Sequence, residues 1–279
     1  MKLYYLGPTG TFSHMAALNY KNENITDYIP QSNLYEVVKA IESDKDSIAI
    51  APIENSIEGT INIIADTLTE QKVHVIDELH LDIAFSLYVK EGTNLEDIKE
   101  VVSIAPAINQ TSKFITKHQF KYRYSNSTVQ SLDEIDEHTG AIAPMGLEKD
   151  RNDVIALATH IEDYPHNTTR FLVLSSEQKR VEKATDSILL ITPDEDKPGL
   201  LASILNTFAL FNINLSWIES RPLKTKLGMY HFFVQADCSA DDVEMKKVIT
   251  ILKTLDFKVK VLGNFNKDKN IMSTKTTDA

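Results

Sequence analysis

The sequence is short of the residues that build secreted or metal-bound scaffolds. Cys238 is the one cysteine in 279 residues, so no internal disulfide can form and no cysteine-rich metal site exists. No apolar run approaches the roughly 20 residues of a membrane-spanning helix. The apolar opening at residues 1–6 is too short for a signal peptide and reads as a first strand. Positive charge is also scarce: 29 Lys and Arg against 40 Asp and Glu leave a net charge of -11. That balance argues against a nucleic-acid partner, because phosphate binding needs clustered cations. These shortages predict a soluble, cytoplasmic protein whose partners include neither nucleic acid nor membrane. They also set a condition: an anionic substrate needs a local cation to offset the field of the whole chain.

What is present is an ordinary apolar content in a chain long enough for two domains of roughly 100–150 residues. Residues 2–6 read as a strand and 12–20 as a helix. Leu34, Val37, Val38 and Ile41 at helical spacing predict an amphipathic helix over 34–41. Residues 47–51 read as a buried strand ending at Pro52, and 61–68 return to helical spacing. This alternation predicts a parallel-type sheet covered by helices, an α/β domain. Ala49-Ile50-Ala51-Pro52 recurs as Ala141-Ile142-Ala143-Pro144. Chance is one reading, since Ala and Ile are common in buried strands. The other is two lobes of similar build facing each other across a cleft, where open α/β sheets bind ligands.

Residues 175–184 are polar and charged and read as a linker. Beyond them, 187–192, 213–218, 228–235 and 257–262 read as strands, with helices over 199–211 and 243–255. That βαββαβ order belongs to a ferredoxin-like sandwich. The expected division is a first domain over 1–176, a linker over 177–185 and a second domain over 186–265. The polar stretch 266–279 lacks periodicity and is expected to be a disordered tail.

Three junctions concentrate polar chemistry. Gly7-Pro8-Thr9-Gly10-Thr11-Phe12-Ser13 joins the first strand to the first helix. Glycines permit tight turns, and Thr11 or Ser13 can cap a helix whose N-terminal N–H groups also suit a carboxylate. A capped turn is the plainer reading, and a phosphate loop is excluded because its Lys-Ser/Thr pair is missing. In Pro52-Ile53-Glu54-Asn55-Ser56, Asn55 and Ser56 each donate and accept, which suits either an oxygen-rich small molecule or simple capping. Asn167-Thr168-Thr169-Arg170-Phe171 leads into another strand. Arg170 offers a fixed fork for a carboxylate, or a surface pair with Glu162 or Asp163.

Taken together, Gly-Pro-x-Gly-Thr-Phe-Ser, Pro-Ile-Glu-Asn-Ser and Asn-x-Thr-Arg-Phe resemble the prephenate dehydratase family. Pro198-Gly199-Leu200-Leu201, Ile213-Asn214-Leu215 and Glu219-Ser220-Arg221-Pro222 resemble the ACT regulatory domain of the same enzymes. Val261-Leu262-Gly263 fits as well, so the resemblance runs from residue 3 to 265. One segment departs from it. The family's Ser-His-Pro-Gln-type segment is here Ser103-Ile104-Ala105-Pro106-Ala107-Ile108-Asn109-Gln110, so a histidine at that place is not essential chemistry in this chain. Asn126-Ser127-Thr128 matches a loop that contributes to the family's cleft, and 140–147 is also family-like.

The resemblance implies a two-lobed, periplasmic-binding-protein-like catalytic domain followed by a ferredoxin-like ACT domain. It implies a monofunctional lyase of phenylalanine synthesis that converts prephenate to phenylpyruvate with loss of carbon dioxide and water, without metal or organic cofactor. Thr169, Arg170 and Phe171 would be catalytic: Arg170 the main cation for the diacid, Thr169 a hydrogen-bond donor to the departing hydroxyl. Glu54 is the alternative acid. Thr11, Ser13, Asn55, Ser56, Ser127 and Thr128 would bind substrate. L-Phenylalanine would bind between ACT domains through Gly199, Leu200, Leu201, Asn214, Leu215, Glu219, Ser220, Arg221 and Pro222, inhibiting a homodimer or homotetramer. Arogenate dehydratase and a non-enzymatic amino-acid sensor are the alternatives. His14, His166, Cys238 and Trp217 are expected to be structural.

Overall fold

The computed structural model describes residues 1–178, 181, 183–224 and 228–267; most of the expected tail, 268–279, lies outside the described residues. The chain opens with β1 (Lys2–Leu6), α1 (Phe12–Asn19), β2 (Asp27–Gln31), α2 (Leu34–Ser43), β3 (Ser47–Asn55), β4 (Gly59–Thr60), α3 (Asn62–Glu70) and β5 (His74–Asp82). It crosses into a second lobe with β6 (Phe85–Val89), β7 (Glu100–Ser103), α4 (Ala105–Gln110), α5 (Ser112–His118), β8 (Lys121–Tyr124), β9 (Thr139–Pro144) and β10 (Ile155–Thr159). β11 (Thr168–Ser175) returns to the first lobe. A βαββαβ unit follows: β12 (Asp186–Pro193), α6 (Leu200–Leu210), β13 (Leu215–Pro222), β14 (Tyr230–Ala236), α7 (Val243–Thr254) and β15 (Phe257–Phe265).

Local chemistry explains the elements. Leu34, Val37, Val38 and Ile41 are buried along one face of α2, and each such burial contributes about 1.5–3 kcal/mol. The helix starts where the Asn33 side chain accepts from the Glu36 N–H at 2.9 Å, meeting one of the donors left open at a helix start.

Among the described residues the strands form two sheets, ordered β13-β14-β12-β15-β5-β11-β3-β1-β2 and β10-β6-β9-β7-β8, with β4 beside β3. Both are mixed rather than parallel. β2-β1-β3 and β8-β7-β9 run parallel, while β11 and β6 are antiparallel to β3 and β9. The strand that returns to the first lobe, β11, and the strand that enters the second, β6, are the ones reversed. The repeated tetrapeptide falls on equivalent strands: Ala49–Pro52 on β3 and Ala141–Pro144 on β9, each third in its lobe's order. In both, the proline faces a phenylalanine across the antiparallel pair, Pro52 with Phe171 and Pro144 with Phe85.

β3 does not end at Pro52 as the sequence suggests. Phe171 pairs with Pro52 but Arg170 pairs with Glu54, so Ile53 is the extra residue of a β-bulge and the strand continues to Asn55. A bulge shifts the alternation of side chains by one. It turns Asn55 onto the face shared with Thr169.

The C-terminal unit is annealed to the first lobe. β15 lies parallel to β5 through the Gly263–Val75 pair. A side chain at 263 would bring its Cβ within 2.5 Å of the Val75 carbonyl oxygen, so glycine is what allows the two sheets to touch here. Trp217 and Phe233 of the unit pack in one cluster with Leu172, Leu174 and Val75.

Candidate active site

The bulged end of β3, the start of β11 and α4 of the second lobe converge at the seam between the lobes. The Asn55 amide oxygen accepts the backbone N–H groups of Ile57 at 2.9 Å and Glu58 at 3.0 Å. That fixes which end of the amide faces which way. Its NH2 therefore donates to Thr169 Oγ1 at 2.9 Å and to Asn167 Oδ1 at 2.8 Å. Thr169 Oγ1 is an acceptor in this bond, which leaves its own hydrogen to be donated elsewhere.

The cluster reaches into the second lobe. Asn167 donates to Gln110 Oε1 at 2.6 Å, and Gln110 donates to Glu58 Oε1 at 3.1 Å. Asn55, Gln110, Asn167 and Thr169 are all buried. Asn167 and Gln110 stand inside quoted motifs yet were not predicted as site residues; a side-chain amide in each motif was the available signal. Ser56 closes the same corner, donating to the His166 carbonyl at 3.2 Å and accepting the Thr168 N–H at 3.0 Å. It clips backbone to backbone.

An open cleft of about 700 Å³ lies between Gly7–Thr9 and Pro30–Ser32 of the first lobe and Asn126, Ser127, Val129, Gln130 and Asp133 of the second. Ser127 lines it while its hydroxyl accepts the Gln130 N–H at 2.9 Å, and Thr128 is buried. Thr11 caps α1, accepting the His14 N–H at 3.4 Å and reaching the Pro8 carbonyl at 2.9 Å; Ser13 is buried in the first turn. The capping role expected of this segment falls to Thr11. His14 accepts the Gly10 N–H at 3.1 Å and holds the loop.

Arg170 does not face this seam. Alternate strand residues point to opposite faces, and Arg170 turns away from Thr169. Its Nε donates to Glu78 Oε2 at 2.8 Å, and its Nη2 donates to Gln235 Oε1 of β14. Its guanidinium lies 5.4 Å from the centre of the Trp217 ring. Glu54, the alternative acid, sits on that same far face, 3.7 Å from Arg170 Nη1. Neither residue is presented to the seam, and neither Glu162 nor Asp163 pairs with the guanidinium. Burial, the largest influence, pushes the nearby His80 imidazole below its usual range; the Glu78 carboxylate opposes this and the Arg170 charge reinforces it. Phe171 is core, packed with Leu81, Ile83 and Phe85.

The C-terminal unit holds a second cavity of about 300 Å³ whose lining includes Lys197, Leu200, Leu201, Ser220, Tyr230 and Phe232. Gly199, at φ 85°, caps α6 beside it. Glu219 and Arg221 lie on the other face of β13. Glu219 accepts from Thr60 Oγ1 at 2.8 Å, and Arg221 Nε meets Asp66 at 3.0 Å. Burial alone would raise the Asp66 carboxyl, but hydrogen bonds from Arg221 and Lys224 outweigh it and hold it below the usual range. Asn214 donates to Asp237 at 2.5 Å ahead of β13, Leu215 packs against the unit's own core, and Pro222 ends the strand. Within one chain, then, Leu200, Leu201 and Ser220 meet at a cavity, while Asn214, Glu219 and Arg221 are engaged elsewhere.

A two-lobed cleft with a buried amide–hydroxyl pair at its seam, joined to a separate βαββαβ unit with its own cavity, has the form of a small-molecule-binding enzyme. The prephenate dehydratase family profile matches residues 3–179, and the ACT domain profile matches 195–253. The prephenate dehydratase of Bacillus subtilis is 30% identical over 95% of this chain and 98% of its own. The crystal structure of the Staphylococcus aureus prephenate dehydratase is 58% identical, covers 95% of this chain and 100% of its own, and superposes with a TM-score of 0.87. That of Arthrobacter aurescens, solved in complex with L-Phe, is 29% identical, with a TM-score of 0.86 over 96% of this chain and 90% of its own. The chain belongs to the prephenate dehydratase family and carries its two-lobed catalytic fold and ACT domain. Its activity is that of a lyase taking prephenate to phenylpyruvate, carbon dioxide and water.

Proposed function

We propose that Thr169 assists departure of the ring hydroxyl of prephenate, with Asn55 orienting it. As the ring carboxylate leaves as carbon dioxide, its bonding electrons enter the ring and expel the hydroxyl as the ring becomes aromatic. The departing oxygen gains negative charge and needs a donor. A threonine hydroxyl is a very weak acid, so it acts by hydrogen bond rather than by proton release. The observation that carries this reading is the Asn55 bond to Thr169 Oγ1, which takes up an oxygen lone pair and leaves the hydroxyl hydrogen for substrate. With Arg170 turned away, the N–H groups at the start of α1 take over a carboxylate, and Ser127 bounds the cleft opposite them. Phenylpyruvate formation from prephenate by Thr169→Ala is expected to fall by about 10²–10⁴-fold. Wild-type turnover in that variant would remove Thr169 from the mechanism.

The ACT cavity is read as the site of L-phenylalanine, bound beside Leu200, Leu201 and Ser220. The Arthrobacter aurescens complex with L-Phe supports this, as does a volume near the roughly 300 Å³ lower end of small-molecule sites. β13 ends the sheet order, and Leu201, Leu205 and Ile218 are exposed near it. An unpaired edge with apolar neighbours invites a second copy, so the enzyme works as a homodimer or homotetramer. The catalytic domain is taken as 1–176 and the ACT domain as 186–265, in a cytoplasmic enzyme. Added phenylalanine is expected to lower turnover and raise the melting temperature; no change in either would reject it as effector.

A further inference from the structure

β13 and β14 are two-faced. Ser220 and Phe232 line the ACT cavity on one side. Trp217 and Phe233 pack on the other against Leu172 and Leu174 of β11. β11 is the strand that carries Thr169.

The Arg170 side chain of β11 reaches Gln235 of β14 through a buried polar cluster. Arg170, Glu78, Gln235 and Asp186 are 8%, 2%, 1% and 3% exposed. Glu78 Oε2 takes both Nε and Nη2 of Arg170, at 2.8 and 2.7 Å. Gln235 accepts from Arg170 and donates to Asp186 at 3.1 Å. A buried guanidinium held in this way is already matched in charge and hydrogen bonds, and withdrawing it to meet a substrate carboxylate would strand Glu78. Glu78 Oε1 and the Trp217 indole N–H have no hydrogen-bond partner among the described residues. The network therefore fixes Arg170 while leaving polar groups that a second arrangement could satisfy.

We propose that Arg170 is a strut rather than a substrate ligand, and that Gln235 of the ACT domain is a positioning residue for the reaction. Gln235 and Glu78 grip Arg170, Arg170 anchors the start of β11, and Thr169 is the residue before it. A shift of β14 caused by a ligand on its cavity face moves the grip and so the hydroxyl. This rests on the reading of Thr169 as the donor.

The test is steady-state turnover of prephenate by full-length Gln235→Leu, with folding checked by near-ultraviolet circular dichroism. The expected result is a kcat about tenfold lower with KM within about twofold, since small misplacements of catalytic groups cost rate rather than binding. Inhibition by L-phenylalanine is expected to be lost while calorimetry still shows it binding. A raised KM with unchanged kcat would overturn the proposal in favour of Arg170 as a substrate ligand. Wild-type kcat, KM and inhibition would overturn it outright. Gln235→Met, whose flexible chain refills the space, replaces the leucine variant if that does not fold and is held to the same results. Thr169→Ala run in parallel separates the two claims. Full activity there sinks both, whereas collapse there with an unaffected Gln235 variant sinks only the strut.

Discussion

The two lobes share one frame and differ in what lies past the proline of their third strand. In the second lobe β9 stops at Pro144. Tyr88 ties that end down, donating to the Pro144 carbonyl at 2.8 Å and accepting the Leu147 N–H at 3.1 Å. Burial pushes the Tyr88 hydroxyl up to about 12, so it stays neutral and serves as a fixed latch. In the first lobe β3 bulges at Ile53 and runs on to Asn55. That extension gives an amide to a hydroxyl on the neighbouring strand instead of a tyrosine to the backbone. The repeated frame thus sets a buried amide against a hydroxyl only where a bulge has lengthened it and changed its phase.

The contrast can be sharpened by breaking each end in turn. Asn55→Leu removes the donor to Thr169 and the acceptor for two backbone N–H groups, so kcat for prephenate is expected to fall about a hundredfold. Retention of more than half the wild-type rate would mean the extension is only structural. The lobes also differ at their outer strands: β5 joins β15, whereas β10 ends its sheet. Gly263→Ala forces a Cβ into the Val75 carbonyl and is expected to cost about 1–3 kcal/mol in chemical unfolding; an unaltered midpoint would show that the junction yields freely. The smallest effect is expected from Tyr88→Phe, a loss of about 1 kcal/mol with turnover within about twofold. A rate loss as large as that of Asn55→Leu would erase the distinction between the two ends.

Much of this was legible in the residues themselves. The repeated Ala-Ile-Ala-Pro marked equivalent strands because both are buried and flanked alike. The βαββαβ order followed from helical and strand periodicities in the second half. The mixed sheets were not legible, since strand direction depends on where the chain returns and not on the periodicity of one strand. Nor was the bulge, because Ile53 looks the same in a regular strand. It decides, however, that Asn55 joins Thr169 while Glu54 and Arg170 share the opposite face. Gln235 and Glu78 gave only a faint signal: Gln235 follows the apolar run Phe232-Phe233-Val234, and Glu78 is one of several charged residues of β5. Arg170 lies 92 residues from Glu78 and 65 from Gln235, separations no local pattern spans, and it meets Gln235 across the domain junction.

The most direct test is a double-mutant cycle on prephenate turnover with Asn55→Ala, Thr169→Ala and the two combined. If Asn55 acts by orienting the Thr169 hydroxyl, the double variant is no slower than Thr169→Ala alone, because the amide has lost the group it serves. Rate losses that multiply would show that Asn55 and Thr169 act independently, and the account of the seam would fall.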